Sequence, residues 1–314
     1  MNNEVHLIKT VCFAIFFIFS LPSFAADQIS LVFINSPKGI NWKTPFSLTV
    51  STINNSLLKF KNKRVFAISH VFVNLKCDSL GKDVSLGMTS ATTTEERDLL
   101  LKHKVGLGLM FHTYVGKLEK TTEIVRDLES YHGSERIAKM TTLVSSEACA
   151  RMLDYAQDYE ARGFGTMYSG LQADPLKGEG SGCSAFGMSF LEVAGLLEPE
   201  YFNEWREHLY IPKRFIGGPL TGTKVPVTRL LFRPRAKWNN KEPHIELHAW
   251  NPEKMHSWVG RVHQQSKKGQ SIRNLVEIRQ VGKTKEVIFD KTHYPTPTGP
   301  YWKFDYAHLA NTQY

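Results

Sequence analysis

The sequence predicts a fold that mixes strands and helices, with an antiparallel sheet formed early in the chain. Hydrophobic residues alternate with polar ones at 46–51, and two β-rich runs follow at 65–75 and 105–115. The spacing of apolar residues then becomes helical at 146–162 and again from 183 to 195. This change of period from two to about 3.6 marks where strands give way to helices.

The N-terminal segment is predicted to be a secretory signal. A polar start that ends at Lys9 leads into an apolar stretch from Val11 to Leu21, and small residues follow at Ser23 and Ala25. About eleven apolar residues are too few for a membrane-spanning helix, which needs about 20. We therefore expect cleavage after Ala25, no stable transmembrane anchor, and a periplasmic or secreted protein.

The composition is that of a globular protein. The chain has 314 residues, of which 42% are hydrophobic and 22% charged, so the part that follows the signal can bury a sizeable core. Its formal net charge of +9 favours anionic partners such as cell-wall polymers, lipid headgroups or nucleic acid. Export makes nucleic acid the least favoured of the three. We therefore expect an anionic envelope polymer such as cell-wall peptide, or a lipid substrate, and no nucleic acid.

Strands are predicted at three places in the first half of the chain. The alternation at 46–51 ends at the Asn54-Asn55 pair, which indicates a turn. Alternation in the other two runs predicts which side chains share a face. In the run at 65–75 these are Phe66, Ile68, His70, Phe72 and Asn74, and in the run at 105–115 they are Met110, His112 and Tyr114.

Two helices are predicted further along. Residues 146–162 follow a serine that can cap a helix and end at Gly163, and one stripe of this helix is apolar. A small-residue loop at 178–182 then leads to Cys183, where a helix with a buried face begins, and Gly195 ends that helix. The stripe of the first helix consists of Ala148, Met152, Tyr155, Ala156 and Tyr159.

The C-terminal part has weaker periodicity. Residues 225–232 look like a strand, and a basic, tryptophan-containing stretch follows from 233 to 314. We therefore expect one domain over residues 26–232 and an extension or small subdomain over residues 233–314.

The cysteines separate into different roles. Cys12 lies in the predicted signal and would be removed with it, which leaves Cys77, Cys149 and Cys183. An oxidising compartment can pair only two of them within one chain. Cys77 ends a predicted strand and Cys149 joins a packed helix face, so both are interpreted as structural, either as a disulfide or as two buried thiols. That pairing leaves Cys183 free.

Cys183 is the candidate nucleophile. The N-terminus of a helix lowers the pKa of a thiol below its free value of about 8.5, through unpaired N–H groups and the positive end of the helix dipole. The same N–H groups near Cys183 and Ser184 could form an oxyanion hole. A Cys-His pair also needs a base, and the candidates that precede Cys183 are His70 and His112.

The order of these motifs resembles a known family. The Ser69-His70-Val71-Phe72-Val73 strand, a helix with a Tyr-rich face, and a helix that opens at Gly182-Cys183-Ser184-Ala185-Phe186 resemble the circularly permuted NlpC-like papain-fold cysteine hydrolases, over roughly residues 64–197. The resemblance implies an α+β, papain-like domain in which an antiparallel sheet packs against the cysteine-bearing helix. It also implies His70 as the base and His112 as the nearest match for the polar residue that orients it. Gly182 departs from the Asn that many members have before the cysteine.

The expected function is that of an exported cysteine hydrolase (a thiol protease or amidase). It would cleave an amide bond in cell-wall peptide through a thioester acyl-enzyme. Two alternatives remain at this point: an acyl or lipid hydrolase or transferase with the same chemistry, and a non-catalytic binding protein of the cell envelope.

No cofactor or metal is expected. His244 and His248 are four residues apart, and His256 and His263 follow, but residues 243–250 look extended. An extended strand would hold the first two imidazoles about 13 Å apart. Neither HExxH nor paired CxxC motifs occur.

Overall fold

The computed structural model describes residues 26–61, 66–92, 94–131 and 133–303. The predicted signal at 1–25, with Cys12, lies outside them. The strands are β1 (Gln28–Ile34), β2 (His70–Cys77), β3 (Lys82–Ser90), β4 (Tyr114–Lys120), β5 (Ile137–Leu143), β6 (Met167–Tyr168), β7 (Arg206–Pro212), β8 (His244–Trp250), β9 (Leu275–Val281) and β10 (Thr284–Asp290). The α-helices are α1 (Pro45–Lys61), α2 (Thr94–Leu101), α3 (Thr121–Glu129), α4 (Ser146–Ala161), α5 (Cys183–Val193), α6 (Pro199–Glu204), α7 (Val227–Leu231) and α8 (Pro252–Lys267).

The fold is α+β and is built on one large mixed sheet. Its eight strands lie in the order β6-β4-β3-β2-β1-β5-β10-β9. All neighbouring pairs are antiparallel except β10 and β5, which are parallel, so the expected antiparallel sheet is present with one exception. Strands β7 and β8 form a separate two-stranded antiparallel ribbon.

Helices cover both faces of the central strands. On one face the main core contains Leu31 of β1, Val73 of β2 and Met140 of β5, together with residues of α4, α5 and α8. On the other face a smaller cluster joins Phe72 of β2 to Ile124 of α3. Because a central strand is buried on both faces, β1 is apolar at most of its positions instead of alternating.

The strand predicted at 46–51 is wrong, because this stretch lies in helix α1. Thr44 caps the N-terminus of this helix, because its hydroxyl accepts a hydrogen bond from the N–H of Ser47 at 3.0 Å. Pro45 follows as the first helical residue, a position that proline favours. Thr49 donates to the carbonyl of Pro45 at 2.8 Å, a bond that a helical hydroxyl makes to the preceding turn. Asn55 forms no turn, and its side chain bonds the backbone of Lys38 and Gly39.

Two other predicted strands are also wrong in part or in whole. Within 105–115 the chain forms a 3-10 helix at Leu107–Phe111, and strand β4 begins only at Tyr114. Val105 pairs with Val225 through an isolated bridge outside the strands of the main sheet. The stretch at 225–232 contains helix α7.

The two predicted helices are confirmed. Helix α4 is capped by Ser145, whose hydroxyl accepts from the N–H of Ala148 at 3.2 Å, and its predicted apolar stripe is buried. Helix α5 begins at Cys183, and Gly195 follows its end in the left-handed conformation.

Residues 252–303 are part of the main sheet and core instead of the extension or small subdomain expected over 233–314, while β8 pairs with β7 in the ribbon. Helix α8 packs against β1, β5 and β10, and β10 extends the large sheet beside β5. Trp258, Phe289 and Trp302 lie in the main core.

Cys77 and Cys149 form a disulfide, which confirms their interpretation as structural and selects the first of the two options. The bridge joins the end of β2 to the first turn of α4 and closes a loop with a sequence separation of 72. The chain-entropy model assigns about 4 kcal/mol to a loop of this length.

We expect Cys77→Ala/Cys149→Ala to lower the free energy of unfolding by about 2–5 kcal/mol, because the unfolded chain gains the freedom that the bridge removes. Urea unfolding at equilibrium measures the change. A matched control is Cys183→Ala, which removes a thiol without removing a crosslink. An unchanged unfolding midpoint in the double variant would contradict the prediction.

Candidate active site

Helix α5 places Cys183 beside the start of strand β2. The helix packs so closely on this strand that a Cβ added at Gly187 would lie 3.0 Å from a methyl carbon of Val71. Cys183 is the first residue of the helix, and its Sγ lies 4.0 Å from the carbonyl oxygen of Ser69, directly before β2. The thiol is free and 6% exposed. The first-turn N–H groups of this helix have no partners within the helix and can receive an oxyanion.

His70 is the first residue of β2 and is held by aromatic rings. The ring of Phe66 stacks on the imidazole with centroids 4.3 Å apart, and the ring of Phe72 meets its edge at 4.5 Å. The imidazole is buried, and its Nε2 lies 3.0 Å from Oε2 of Glu119. A bond from Nε2 to this carboxylate leaves Nδ1 as the ring nitrogen that can exchange a proton with Cys183.

Glu119 reaches His70 across an intervening strand. His70 is on β2 and Glu119 on β4, and both flank β3, where Gly87 is the register partner of both Phe72 and Glu119. A Cβ at Gly87 would lie 2.6 Å from the Phe72 ring and 2.9 Å from Oε2 of Glu119. The missing side chain at Gly87 therefore leaves the space in which the carboxylate meets the imidazole.

The pKa values of His70 and Cys183 move in opposite directions. Burial disfavours the imidazolium, but charge interaction and hydrogen bonding with Cys183 and with Glu119 outweigh it and raise the pKa of His70 to about 10. Burial likewise disfavours the thiolate, yet the His70 charge and hydrogen bonds lower the pKa of Cys183. Both shifts favour a thiolate-imidazolium pair, the reactive form of a cysteine nucleophile.

Tyr168, on the short strand β6, is a member of the site that the sequence did not reveal. Burial, followed by the thiolate charge, raises the pKa of Tyr168 well above its ordinary value, and hydrogen bonding with Tyr168 in turn contributes to the lowered pKa of Cys183. The phenol therefore remains protonated at neutral pH and can donate to a thiolate or to an oxyanion. No local pattern at 166–171 separates this tyrosine from an ordinary strand residue.

His112 does not contact His70 in the structure, contrary to the role expected for it. Its Nε2 lies 3.4 Å from Oε1 of Glu95 at the start of α2, and its ring is partly exposed. The expectation depended on a strand through 105–115, whereas His112 follows the 3-10 helix and precedes β4. The polar partner of His70 is Glu119, which lies on β4 five residues after its first residue, Tyr114.

Glu253, at the N-terminus of α8, fixes the segment that leads into His70. Its carboxylate accepts hydrogen bonds from the Ser69 hydroxyl at 2.8 Å and from the N–H of Ile40 at 2.9 Å, and it also contacts the Ser36 hydroxyl. Ser69 in turn accepts from the N–H of Ser36 at 3.0 Å. Glu253 thus acts as a positioning residue, because it holds Ser69 while the carbonyl of Ser69 faces the thiol.

Cys183 opens into an apolar cavity of about 240 Å³. The cavity is enclosed by α1, the 105–111 segment, α7 and the start of α8, and Tyr168 and Trp250 also line it. Its apolar side chains include Ile40, Leu48, Ile53, Leu107, Met110 and Leu230. A chain or ring without charge is therefore the group that this space accommodates best beside the sulfur.

The side chains that could bind a metal ion lie away from Cys183 and His70. Among the described residues, the one group of three or more histidine, cysteine or carboxylate side chains with converging ligand atoms is His208, Glu246 and His248, all exposed on the β7-β8 ribbon. Cys183 and His70 are not part of this group.

The site defines a class: a buried free thiol at a helix N-terminus, paired with an imidazole that a carboxylate orients. Comparison with protein-family models, with curated proteins and with solved structures found no match for this chain. No helix within the described ranges is long and apolar enough to cross a membrane.

Proposed function

We propose that this protein is a cysteine hydrolase that forms a thioester acyl-enzyme on Cys183. The observation that supports this most is the chain of contacts from Cys183 to His70 to Glu119, in which the pKa of the thiol is lowered and that of the imidazole raised. Nucleophile, base and orienting carboxylate are the three roles that such catalysis requires.

The reaction follows from these positions. The Cys183 thiolate attacks the substrate carbonyl, and the oxyanion accepts hydrogen bonds from the first turn of α5 and from Tyr168. The C–N or C–O bond then breaks as the imidazolium of His70 gives its proton to the leaving group. Water, deprotonated by His70, hydrolyses the thioester and restores the thiol pair.

The order of the site residues along the chain also supports our proposal that the fold is a circularly permuted papain-like one. The histidine strand precedes the cysteine helix in the chain, and α5 packs against β2 and β3 of the large sheet. The third residue implied by that resemblance would be Glu119 on β4 instead of His112.

The apolar cavity favours the acyl alternative over cell-wall peptide. A hydrolase of wall peptide needs polar groups that bind amide and carboxylate groups, whereas Ile53, Leu107, Met110 and Leu230 surround the space beside Cys183. We therefore propose a substrate whose acyl group is apolar, joined to an amine or alcohol that leaves, or passed to an acceptor other than water. The formal net charge of +9 agrees with a substrate presented at an anionic surface.

Export remains part of the proposal, with a periplasmic or secreted location. The Cys77–Cys149 disulfide supports it, because such bridges form and persist in oxidising compartments. The predicted signal at 1–25 is the other support.

The experiment is a series of aryl esters with straight acyl chains of increasing length. We expect kcat/KM to rise about fourfold for each added methylene until the cavity is filled, because burying a CH₂ contributes about 0.8 kcal/mol. Ile53→Trp should shorten the preferred chain, since Ile53 lines the cavity. Leu57→Trp is the matched control one turn further along α1, where Leu57 is 54% exposed.

Mass spectrometry of quenched reactions completes the test. An acyl adduct on Cys183 that is absent in Cys183→Ala is the expected result. If the adduct formed equally well with every chain length, or if only peptidoglycan fragments gave products, the proposal of an apolar acyl group would be wrong. The proposal of a cysteine hydrolase would remain. The absence of any adduct would overturn the hydrolase and favour a binding protein of the envelope.

A further inference from the structure

The outer face of the β7-β8 ribbon carries three side chains suited to a metal ion. His208 on β7 is the direct register partner of His248 on β8, and Glu246 lies two residues before His248 on the same face. All three are exposed, and their ligand atoms lie within 4.8 Å of one another. The sequence argued against a metal site at His244 and His248, because an extended strand holds these two side chains far apart. The second histidine of the present group is instead His208, which comes from the neighbouring strand β7.

The carboxylate of Glu246 bridges the Nε2 atoms of the two imidazoles. Its Oε1 is 2.5 Å from Nε2 of His208 and 3.1 Å from Nε2 of His248. The two rings stack with centroids 4.2 Å apart and an angle of 18° between their planes, so both present Nε2 in the same direction. In a tetrahedral zinc site with bonds of about 2.0–2.1 Å, the ligand atoms lie about 3.3 Å apart, which small side-chain rotations can reach from here.

The opposite face of the ribbon anchors these positions. Leu209, Leu247 and Ala249 alternate with the three ligands and are buried in a core cluster with Leu48 and Phe215. Because the backbone is held by this packing and by the β7-β8 ladder, the three ligands lie on a fixed frame. Only their side chains must move to bind an ion, which lowers the entropic cost of binding.

We propose that His208, Glu246 and His248 form a site for a divalent transition-metal ion, with Zn²⁺ as the expected occupant. Two imidazoles and one carboxylate suit zinc, and they leave one tetrahedral position for water or an added ligand. The site lies on the solvent side of a ribbon whose other side reaches the reactive cysteine: Ala249 lines the cavity. At the end of the same strand, the backbone carbonyl of Trp250 accepts a hydrogen bond from the hydroxyl of Ser184 at 2.9 Å. The metal would stabilise the pairing of β7 and β8.

Equilibrium dialysis of the disulfide-bonded mature chain against micromolar ZnCl₂ tests the proposal. The measurement uses the Cys183→Ser background, so that the reactive thiol does not bind zinc. We expect one equivalent of Zn²⁺ per chain, and His208→Ala, His248→Ala and Glu246→Gln should each weaken binding at least about tenfold. Circular dichroism checks that each exposed substitution leaves the fold intact.

His244→Ala is the matched control, because His244 lies on the same strand and face, and its Nδ1 lies 2.8 Å from the carbonyl of Glu242. Its zinc affinity should stay within about twofold of the parent. A further readout is thermal stability, which should rise with zinc in the parent and not in His248→Ala. No bound zinc, zinc retained by all three ligand variants, or equal loss in His244→Ala would each overturn the site.

Discussion

His70→Ala is expected to slow the alkylation of Cys183 by iodoacetamide at pH 6 by on the order of 100-fold. With the imidazolium present, the thiolate fraction at this pH is raised, because His70 is the main cause that lowers the pKa of Cys183. Without it the thiol returns toward the free pKa of about 8.5, at which about 0.3% is ionised at pH 6. The lower intrinsic reactivity of an acidic thiolate reduces the difference to the expected figure.

The parent and His70→Ala should also differ in how the alkylation rate depends on pH. In the parent, the rate should change less between pH 6 and 8 than in His70→Ala, because the pKa of Cys183 is lowered and the pair persists until pH rises through the His70 pKa of about 10. In His70→Ala the rate should climb about tenfold per pH unit toward 8.5. His112→Ala is the matched control, since His112 bonds Glu95 and should leave the profile unchanged. Parallel profiles in the parent and His70→Ala would falsify the pairing.

Glu119→Gln is expected to lower kcat/KM for an acyl ester by about 10²- to 10⁴-fold, an effect of the size seen when the residue that orients a catalytic histidine is altered. The amide keeps the size of the side chain but removes the charge that helps raise the pKa of His70. The alkaline limb of the pH-rate profile should therefore move down from about pH 10. A loss caused only by poorer packing would reduce the rate without moving that limb.

Glu95→Gln is the matched control for this substitution. Glu95 bonds His112 in a pair that is equivalent in chemistry but lies apart from Cys183, so the activity and its profile should stay as in the parent. If Glu119→Gln retained full activity, the carboxylate would have no role in catalysis.

The parts of the site that local chain geometry determines could be predicted from the sequence. Cys183 follows a glycine-rich loop and opens a helix whose buried face is visible in the spacing of its residues, and Cys77 and Cys149 lie where a strand ends and a helix begins. These signals depend on residues that are neighbours along the chain. Both helices also bury the faces that the spacing of their residues predicted.

The residues that sequence reasoning missed are joined to the site across strands. Glu119 meets His70 only because β2, β3 and β4 pair in a register that puts Gly87 between them, and register depends on the whole sheet. Tyr168 reaches Cys183 from a strand of two residues. At 46–51 a real alternation was overridden by the cap at Thr44, since a helix with hydroxyl side chains can mimic a period of two over a short stretch.

If the protein is exported as proposed, the burial of Cys183 has a consequence for the survival of its thiol. A solitary thiolate among secreted proteins would exchange with their disulfides if bulky partners could reach the sulfur. Beneath an apolar opening lined by Ile53 and Leu107, slender reagents can reach it while a folded protein cannot. The enclosure that selects a substrate would thus also protect the nucleophile from mispairing.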